Sequence, residues 1–304
     1  MKALVISGGG SKGSFAGGIA DYLIREKGKK YDLFVGASTG SLLSPMLACD
    51  NVELAKQVYT TITPQDIFTL NPYKIVRKKG VDYVRMAHWN IIRSFWRGNK
   101  TFGSSKKLRK TIAKNFTVDD YNKVKELNRQ IIVSVSNLSH QTTEFKTTKK
   151  ESYDDFCDWI WASANFLPFM SLVKKNGMEY GDGGFGNNIP VQAAIDAGAK
   201  EVDVIILDPI ETLTNTLPSV NAFDLTMKVF DFLMTQNNRN KLELADLRPR
   251  NREVKINRYF TPTLLTENSL IFNKKQMTLW WEQGKQFAER VSPKVAIIKP
   301  DEEE

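Results

Sequence analysis

The sequence predicts an α/β protein with a mainly parallel sheet that is covered by helices on both faces. Short apolar runs at residues 3–7, 33–36, 131–138 and 202–207 are typical of buried strands. Helical stretches follow the first two runs, at residues 14–25 and 41–49, and another at residues 191–197 precedes the last run. Because strands that alternate with helices form parallel sheets, ligands are expected at the carboxyl ends of these strands.

The pattern changes after Pro209. Residues 213–220 are predicted to form a loop, and Phe223, Met227, Phe230 and Met234 recur at the spacing of an amphipathic helix that continues to residue 247. A last helix is predicted at residues 274–291. We therefore predict a domain at residues 1–212 and a C-terminal helical extension at residues 213–304 that packs on it.

Composition and charge exclude several classes of protein. A chain of 304 residues with 41% hydrophobic residues can bury a sizeable core. It has neither the apolar segment of a secretory signal nor a run near the roughly 18 residues that suggest a membrane-spanning helix. Cys49 and Cys157 lack the spacing of a disulfide framework or a zinc site. We expect a cytoplasmic protein without a metal or other cofactor, which could sit peripherally at the inner face of the membrane.

The segment LVISGGGSKG at residues 4–13 places a cluster of glycines directly after the first strand. Gly8, Gly10 and Gly13 fit the dinucleotide-binding pattern G-x-G-x-x-G. That fold also requires an acidic residue at the end of the second strand, whereas Asp32 precedes this strand. No Gly-Lys-Ser/Thr of a phosphate-binding loop follows either. The sequence therefore lacks the second set of residues that either kind of phosphate-binding site requires.

The second strand ends instead in Gly36-Ala37-Ser38-Thr39-Gly40, which has the form of a nucleophile elbow. Glycine and serine are common enough for this string to arise by chance, but its position between a strand and a helix strengthens the interpretation. A nucleophilic Ser38 would also give the glycine cluster a role. The N–H groups of Gly9 and Gly10 could then point at a developing oxyanion.

A serine nucleophile needs a base, and Asp182 is the best candidate. His88 and His140 both precede it, which does not fit the order of serine, acid and histidine found in α/β-hydrolases. Residues 180–190 are too glycine-rich to predict a helix or an ordinary strand, and such a loop can place a carboxylate where backbone approaches closely. Taken alone, the sequence Asp-Gly-Gly is also typical of a tight turn.

Taken together, these motifs resemble the patatin-like phospholipases, a family of lipid acyl hydrolases. The residues that carry the resemblance are Gly8, Gly9, Gly10, Ser11, Lys12 and Gly13 of the glycine turn, Gly36, Ala37, Ser38, Thr39 and Gly40 of the elbow, Asp182, Gly183 and Gly184 of the acid loop, the following Asn188 and Pro190, and residues 162–168. They occur in the right order between residues 3 and 210. Each motif is weak by itself, whereas the ordered set is specific.

The resemblance implies a three-layer α/β/α sandwich and a serine–aspartate dyad without histidine. Ser38 would attack an ester carbonyl, Asp182 would accept the proton, and the glycine turn would form the oxyanion hole, with Lys12 as a further donor. Because a free aspartate has a pKa near 3.9, the carboxylate would need a dry site to become basic enough. The bulky Asn165, Phe166 and Leu167 depart from the small residues usual in the family, which puts the shape of the acyl pocket in doubt.

Residues 72–114 contain thirteen basic residues and one acid. The net positive charge of this segment is therefore larger than the net charge of +9 of the whole chain. From His88 onward, the apolar residues of HWNIIRSFWR fall on one arc of a helix with the arginines opposite, as in an interfacial helix. Such a stripe also fits packing on the core, and the charge also fits a solvated face. We favour docking onto an anionic membrane surface. The candidate residues are Trp89, Ile92, Trp96, Arg77, Lys78, Lys79, Lys106 and Lys107.

The leading hypothesis is a phospholipase A or lysophospholipase that cleaves phospholipids or lysophospholipids through an acyl-enzyme intermediate. The alternative is an inactive protein of the same fold whose basic surface binds a membrane, nucleic acid or an acidic partner. We do not expect nucleic acid binding, because no recognised motif accompanies the charge and the aromatic residues cluster on one arc. The sequence leaves the oligomeric state open.

Overall fold

A computed structural model of the protein describes residues 1–78, 81–210, 218–219, 221–247, 253–266, 268–291 and 293–296. The strands are β1 (Lys2–Ile6), β2 (Leu33–Gly36), β3 (Tyr73–Lys78), β4 (Val81–Met86), β5 (Gln130–Asn137), β6 (Thr142–Thr147), β7 (Val173–Lys175), β8 (Met178–Gly181), β9 (Glu201–Pro209), β10 (Lys255–Thr261) and β11 (Lys294–Ala296). The helices are α1 (Gly13–Asp21), α2 (Thr39–Ala48), α3 (Val52–Thr61), α4 (Pro64–Ile67), α5 (His88–Trp96), α6 (Lys106–Asn115), α7 (Val118–Glu126), α8 (Tyr153–Ser163), α9 (Gly184–Asn187), α10 (Val191–Asp196), α11 (Ala222–Leu247) and α12 (Lys274–Arg290).

The main sheet has the strand order β11-β10-β9-β1-β2-β5-β8-β7 within the described residues, with β6 paired to β5. The five strands from β10 to β5 run parallel, and the strands at both sides are antiparallel. Central strands such as β1 are buried on both faces, which explains their continuous apolar sequence. Leu4 and Ile6 pack into one core, and Ala3 and Val5 pack into another on the opposite face. The predicted three-layer α/β/α class is confirmed.

The C-terminal part contributes strands as well as helices. Strand β10 pairs in parallel with β9, and β11 pairs antiparallel with β10, so this region extends the main sheet. The sequence analysis predicted only helices here, because Asn257 and Arg258 interrupt the apolar run of β10. Asn257 is buried and donates a hydrogen bond to Asp203 at 2.7 Å, which satisfies its amide inside the core.

Helices α11 and α12 occupy the predicted helical stretches. Helix α12 packs against α1, where a Cβ on Gly17 would collide with the ring of Trp281. The predicted boundary between residues 212 and 213 lies outside the described residues, as does most of the predicted loop at 213–220. The division into two units stays a prediction.

Strands β3 and β4 form a separate antiparallel hairpin, and α5 follows it directly. Helix α5 begins at His88 because Arg85 and Met86 belong to β4. None of the helices in the described part of the chain combines the length and the apolar character needed to cross a membrane.

Candidate active site

The turn between β2 and α2 holds Ser38 in a strained conformation. Ser38 has φ 49° and ψ −115°, a region that residues with a side chain rarely adopt. A Cβ on Gly36 would collide with the backbone of Gly40, and one on Gly40 would collide with the carbonyl of Ile6. Both glycines are therefore required for the sharp turn. Ala37 is buried beside them and donates its N–H to Ile6 O.

Ser38 and Asp182 meet although 144 residues separate them in the sequence. The Ser38 hydroxyl donates a hydrogen bond to Asp182 Oδ2 at 2.7 Å. Asp182 Oδ1 accepts the N–H of Gly184 at 2.8 Å. Burial raises the pKa of Asp182 to about 7, and these two hydrogen bonds oppose the rise. The carboxylate therefore takes up a proton far more readily than an exposed aspartate.

The acid loop is more regular than the sequence analysis expected. Tyr180 and Gly181 belong to β8, and one helical turn, α9, follows Asp182. The expectation that no strand or helix forms in this stretch was wrong, because its glycines serve close packing. A Cβ on Gly183 would collide with Ser134 of β5, and one on Gly184 would lie 2.9 Å from Asn188 Oδ1.

The end of α8 connects the elbow to the acid loop. Ser163 Oγ accepts the N–H of Ser38 at 3.1 Å, and Ser163 O accepts the N–H of Gly183 at 3.1 Å. Asn165 O accepts the N–H of Asp182 at 2.9 Å. The sequence analysis noted residues 162–168 through the family resemblance but assigned them no role. No pattern in the sequence of α8 shows which amides Ser163 meets.

Gly8 joins the glycine turn to the acid loop. Its N–H donates to Asn188 Oδ1 at 2.9 Å and is 3.3 Å from Asn188 O. A Cβ on Gly8 would collide with Asn188 Oδ1 and lie 2.9 Å from Ser38 Cβ. A side chain at this position would therefore displace both partners, and Asn188 holds the turn at a defined distance from the dyad.

The rest of the glycine turn leaves two amides unused. Ser11 donates its N–H to Ser269 O at 2.9 Å, and its hydroxyl is buried without a partner among the described residues. Gly10 has φ 54°, and a Cβ there would collide with Ser269 O. Within the described residues, the N–H groups of Gly9 and Gly10 donate no hydrogen bond, and both residues line the same cavity as Ser38.

Lys12 reaches from the glycine turn to the neighbouring strand β9. Its ammonium donates to Leu207 O at 2.8 Å and pairs with Asp208 at 3.0 Å, at the carboxyl end of β9. Lys12 also lines the cavity, so its role as an oxyanion donor stays a prediction. Gly13 packs against Thr39, whose hydroxyl donates to Gly10 O at 2.8 Å. These contacts fix the glycine turn against α2.

A cavity of about 170 Å³ opens at the dyad. One side is apolar and is lined by Leu42, Met46, Leu108, Ile112, Phe116, Ile160 and Phe166. Another side is polar and includes Lys12, Asp208 and Asp231, of which the sequence analysis missed both carboxylates. Of the three bulky residues noted in the sequence, Phe166 lines the cavity, whereas Asn165 turns its side chain to Ser105 and Leu167 packs against Gly181.

Helix α5 turns its apolar arc outward. Trp89 is 83% exposed and Trp96 is 86% exposed, and Ile92 and Phe95 are exposed beside them. Its buried side is polar, because Ser94 donates to Thr101 O at 2.8 Å and the Asn90 amide donates to Asn71 O at 2.8 Å. The alternative that this stripe packs on the core is therefore wrong for Trp89, Ile92 and Trp96.

The basic residues predicted to bind a membrane fall into two groups: some are exposed, and others lie outside the described part of the chain. Arg77, Lys106 and Lys107 have exposed side chains, and Lys107 also donates to Gln65 O at 3.1 Å. Lys79 and the side chain of Lys78 lie outside the described part of the chain. Elsewhere in this segment some of the positive charge is balanced, since Lys100 pairs with Glu179 at 2.9 Å and Arg109 with Asp158 at 2.7 Å.

Comparisons with known proteins connect these features to a family. The family model described as patatin-like phospholipase matches residues 4–195. The chain is 25% identical over 203 residues to Uncharacterized protein YjjU of Escherichia coli (strain K12), which covers 67% of this chain and 51% of that protein. The chain thus spans about half the length of that relative. VipD from Legionella pneumophila has a TM-score of 0.47 and 14% identity, covering 97% of this chain and 68% of that one.

The family match extends from β1 into α10, so it contains the glycine turn, the elbow, the α8 segment and the acid loop that meet around the cavity. It covers more than half of the chain. On this evidence the chain belongs to the patatin-like phospholipase family.

Proposed function

We propose that this protein is a lipid acyl ester hydrolase of the phospholipase A or lysophospholipase type, with Ser38 as nucleophile and Asp182 as base. The proposal is carried by one observation, the 2.7 Å hydrogen bond from the Ser38 hydroxyl to the buried Asp182 carboxylate beside the cavity. A nucleophile in direct contact with its base meets the first geometric requirement of covalent catalysis.

In the first step, Ser38 Oγ attacks the ester carbonyl carbon while Asp182 takes the hydroxyl proton. The tetrahedral intermediate collapses to an acyl-enzyme, and Asp182 gives the proton to the leaving alcohol oxygen. In the second step, water attacks the acyl-enzyme and Asp182 accepts a proton from that water. The fatty acid then leaves, and the proton returns to Ser38.

Two features of the environment support these roles. Burial raises the pKa of Asp182 to about 7, which brings an aspartate into the range of an effective general base at neutral pH. Among the described residues the N–H groups of Gly9 and Gly10 have no acceptor, which leaves them to bind the oxyanion, and each such donor typically contributes about 10² to 10³ in rate. We assign the oxyanion hole to these two amides.

The cavity and the outer surface favour a lipid substrate. The apolar side of the cavity, with residues such as Leu108 and Ile112, suits an acyl chain. The exposed Trp89 and Trp96 suit the interfacial region of a bilayer, and neighbouring cations contribute on the order of 1 kcal/mol each near an anionic leaflet. We therefore propose peripheral binding to an anionic membrane surface through α5 and the basic segment.

The decisive experiment compares the wild type with Ser38→Ala on a water-soluble short-chain aryl ester and on phospholipid vesicles. We expect acyl release by the wild type only. Ser44→Ala is the matched control, because Ser44 lies on α2, the helix that follows Ser38, is buried, and donates to Gly40 O at 2.7 Å outside the cavity. It should retain activity. Equal release by the wild type and Ser38→Ala would contradict the dyad and favour an inactive protein of this fold.

A further inference from the structure

Helix α11 has an inner apolar face that closes one side of the cavity. Phe223 and Met227 are buried, and the ring of Phe230 packs against Phe166 at a centroid distance of 5.5 Å. Met234 lines the cavity, and the amide of Asn238 donates to Asp208 at 2.9 Å. This face accounts for the amphipathic spacing in the sequence, and it places α11 between the cavity and the outside of the molecule.

The same helix carries a second apolar face that no described residue covers. The exposed residues are Leu225, Val229, Phe232 and Leu233, each at least half exposed, with Phe232 at 62%. At 100° per residue they fall on an arc of roughly 100°, opposite the inner face. Between residues 225 and 233 no acidic or basic side chain falls on this arc, whereas Glu243 lies on it further along the helix. Exposed singly, such residues need no explanation, but four on one helix face mark an interaction surface.

The hairpin that packs against α11 exposes basic side chains. Helix α11 packs against β4 of the β3–β4 hairpin, and that hairpin exposes Lys74, Arg77 and Arg85. Ile75 is exposed on the same hairpin. An apolar helix face beside cations has the composition of a surface that lies in the interfacial region of a bilayer with anionic lipid.

Aromatic contacts connect α11 to the outward face of α5. Phe223 at the start of α11 packs on Phe169 at 4.9 Å, Phe169 packs on Phe102 at 5.7 Å, and Phe102 packs on Phe95 of α5 at 6.2 Å between ring centroids. The two helices with exposed apolar faces are therefore joined by one continuous aromatic layer. Through this layer, α5 and α11 form one continuous packed region.

We propose that the outer face of α11, formed by Leu225, Val229, Phe232 and Leu233, docks onto a phospholipid bilayer that contains anionic lipid. The proposal rests on the proposed function, since it brings lipid to the cavity of a lipid hydrolase. An α-helix is about 10 Å in diameter, so a bilayer on the outer face lies about that distance from the cavity lined by the inner face. Docking thus brings the bilayer to within about one helix diameter of the cavity that contains Ser38.

The test is co-sedimentation with vesicles of ether-linked phosphatidylcholine and phosphatidylglycerol in equal amounts, which contain no ester to cleave. The variant replaces Leu225, Val229, Phe232 and Leu233 together by Gln. We expect its vesicle partitioning to fall about tenfold or more, and the wild type to bind vesicles of phosphatidylcholine alone more weakly. The matched control replaces four other exposed apolar residues by Gln: Val118, Leu127, Leu138 and Phe145. It should bind like the wild type.

Unchanged binding of the folded α11 variant would overturn the proposal, as would an equal loss in the control. If the α11 variant is monomeric and binds vesicles normally while the wild type is a dimer, the face serves a second copy of the chain instead. Should the fourfold variant fail to fold, Phe232→Gln with Leu233→Gln provides the same comparison. Hydrolysis of the soluble ester reports separately on the proposed function, so loss of docking and absence of the dyad chemistry are distinguishable.

Discussion

Asp182 and Asp203 are both about 1% exposed, yet their surroundings differ. Asp203 on β9 is held by the Lys29 ammonium at 2.7 Å, the Tyr31 hydroxyl at 2.6 Å and the Asn257 amide at 2.7 Å. Asp182 accepts hydrogen bonds from the Ser38 hydroxyl and the Gly184 N–H, and no cation contacts it among the described residues.

The difference separates a stabilising carboxylate from a basic one. A cation beside Asp203 offsets the cost of burying its charge. Asp182 has no such compensation, so burial raises its pKa to about 7 and its charged form remains ready to accept a proton. Burial alone therefore does not identify a reactive acid, whereas burial without a cation and next to a hydroxyl does.

The largest expected effect comes from replacing each carboxylate by its amide. Asp182→Asn should lower kcat/KM on a soluble ester by about 10⁴-fold, because the base for Ser38 is lost. Asp203→Asn should leave kcat/KM within a few-fold but reduce the free energy of unfolding by about 3 kcal/mol, since Lys29 loses its partner. Steady-state kinetics and urea unfolding measure both. A similar loss of activity in both variants would remove the distinction.

The pH dependence of stability should separate the two carboxylates next. The pKa of Asp182 lies above its ordinary value of 3.8 in the folded state, so the native protein binds the proton more strongly than the unfolded chain between pH 3.8 and about 7. Its contribution to stability is therefore present at acidic pH and lost as pH rises. Between about pH 4 and about pH 8, Asp182→Asn should gain up to about 4 kcal/mol relative to the wild type.

Urea unfolding of the wild type and Asp182→Asn at several pH values tests the direction of this change in stability. A constant difference between the wild type and Asp182→Asn across the range would show that the buried carboxyl does not hold its proton as expected. The Asp203→Asn variant provides the control, because it leaves Asp182 and its surroundings intact.

The catalytic activity should depend on the same ionisation of Asp182, but it should increase with pH where the stability decreases. Only the ionised Asp182 can accept the Ser38 proton, so kcat/KM should rise about tenfold per pH unit below about 7 and level off above it. Asp203→Asn should retain this profile. A flat profile between about pH 5 and about pH 8 would contradict Asp182 as the base, provided that circular dichroism shows a folded protein.

The smallest expected effect is a difference in stability between two variants of Ser38, the residue whose hydroxyl contacts Asp182. Ser38 is held at φ 49°, a conformation that costs serine and alanine about equally because of their Cβ, and that glycine adopts at a lower cost. Ser38→Gly and Ser38→Ala should both abolish hydrolysis, but the glycine variant should be more stable by about 1 kcal/mol. Thermal or urea unfolding of the two variants measures this difference. Equal stability would mean that the turn relaxes when the hydroxyl is removed.

The sequence predicted the local parts of the site because their signals are local. Gly36 and Gly40 around Ser38, placed between a strand and a helix, indicate the elbow without knowledge of its neighbours. Asp182 was found from its glycine-rich surroundings and the scarcity of histidine. The partners were not found, since nothing near Ser163 or Asn188 in the sequence shows which amides they meet.

The same limit explains the errors. For Lys12, the sequence did not show the ion pair with Asp208, because Asp208 lies 196 residues away and only the fold brings the two side chains together. Strand β10 was missed because Asn257 breaks its apolar run, and the compensating Asp203 lies on a different strand. For α5, periodicity identified an apolar arc, but it could not determine whether that arc faces the core or the solvent.

By itself the sequence determined the α/β class, the strained elbow and the two residues of the proposed dyad, because these depend on backbone preferences and short-range residue patterns. Only the tertiary structure decided that no cation of the described residues lies beside Asp182, that Lys12 is paired, and that the apolar faces of α5 and α11 point outward. The physical reason is that charge compensation and exposure depend on contacts between distant segments, which periodicity and spacing do not encode.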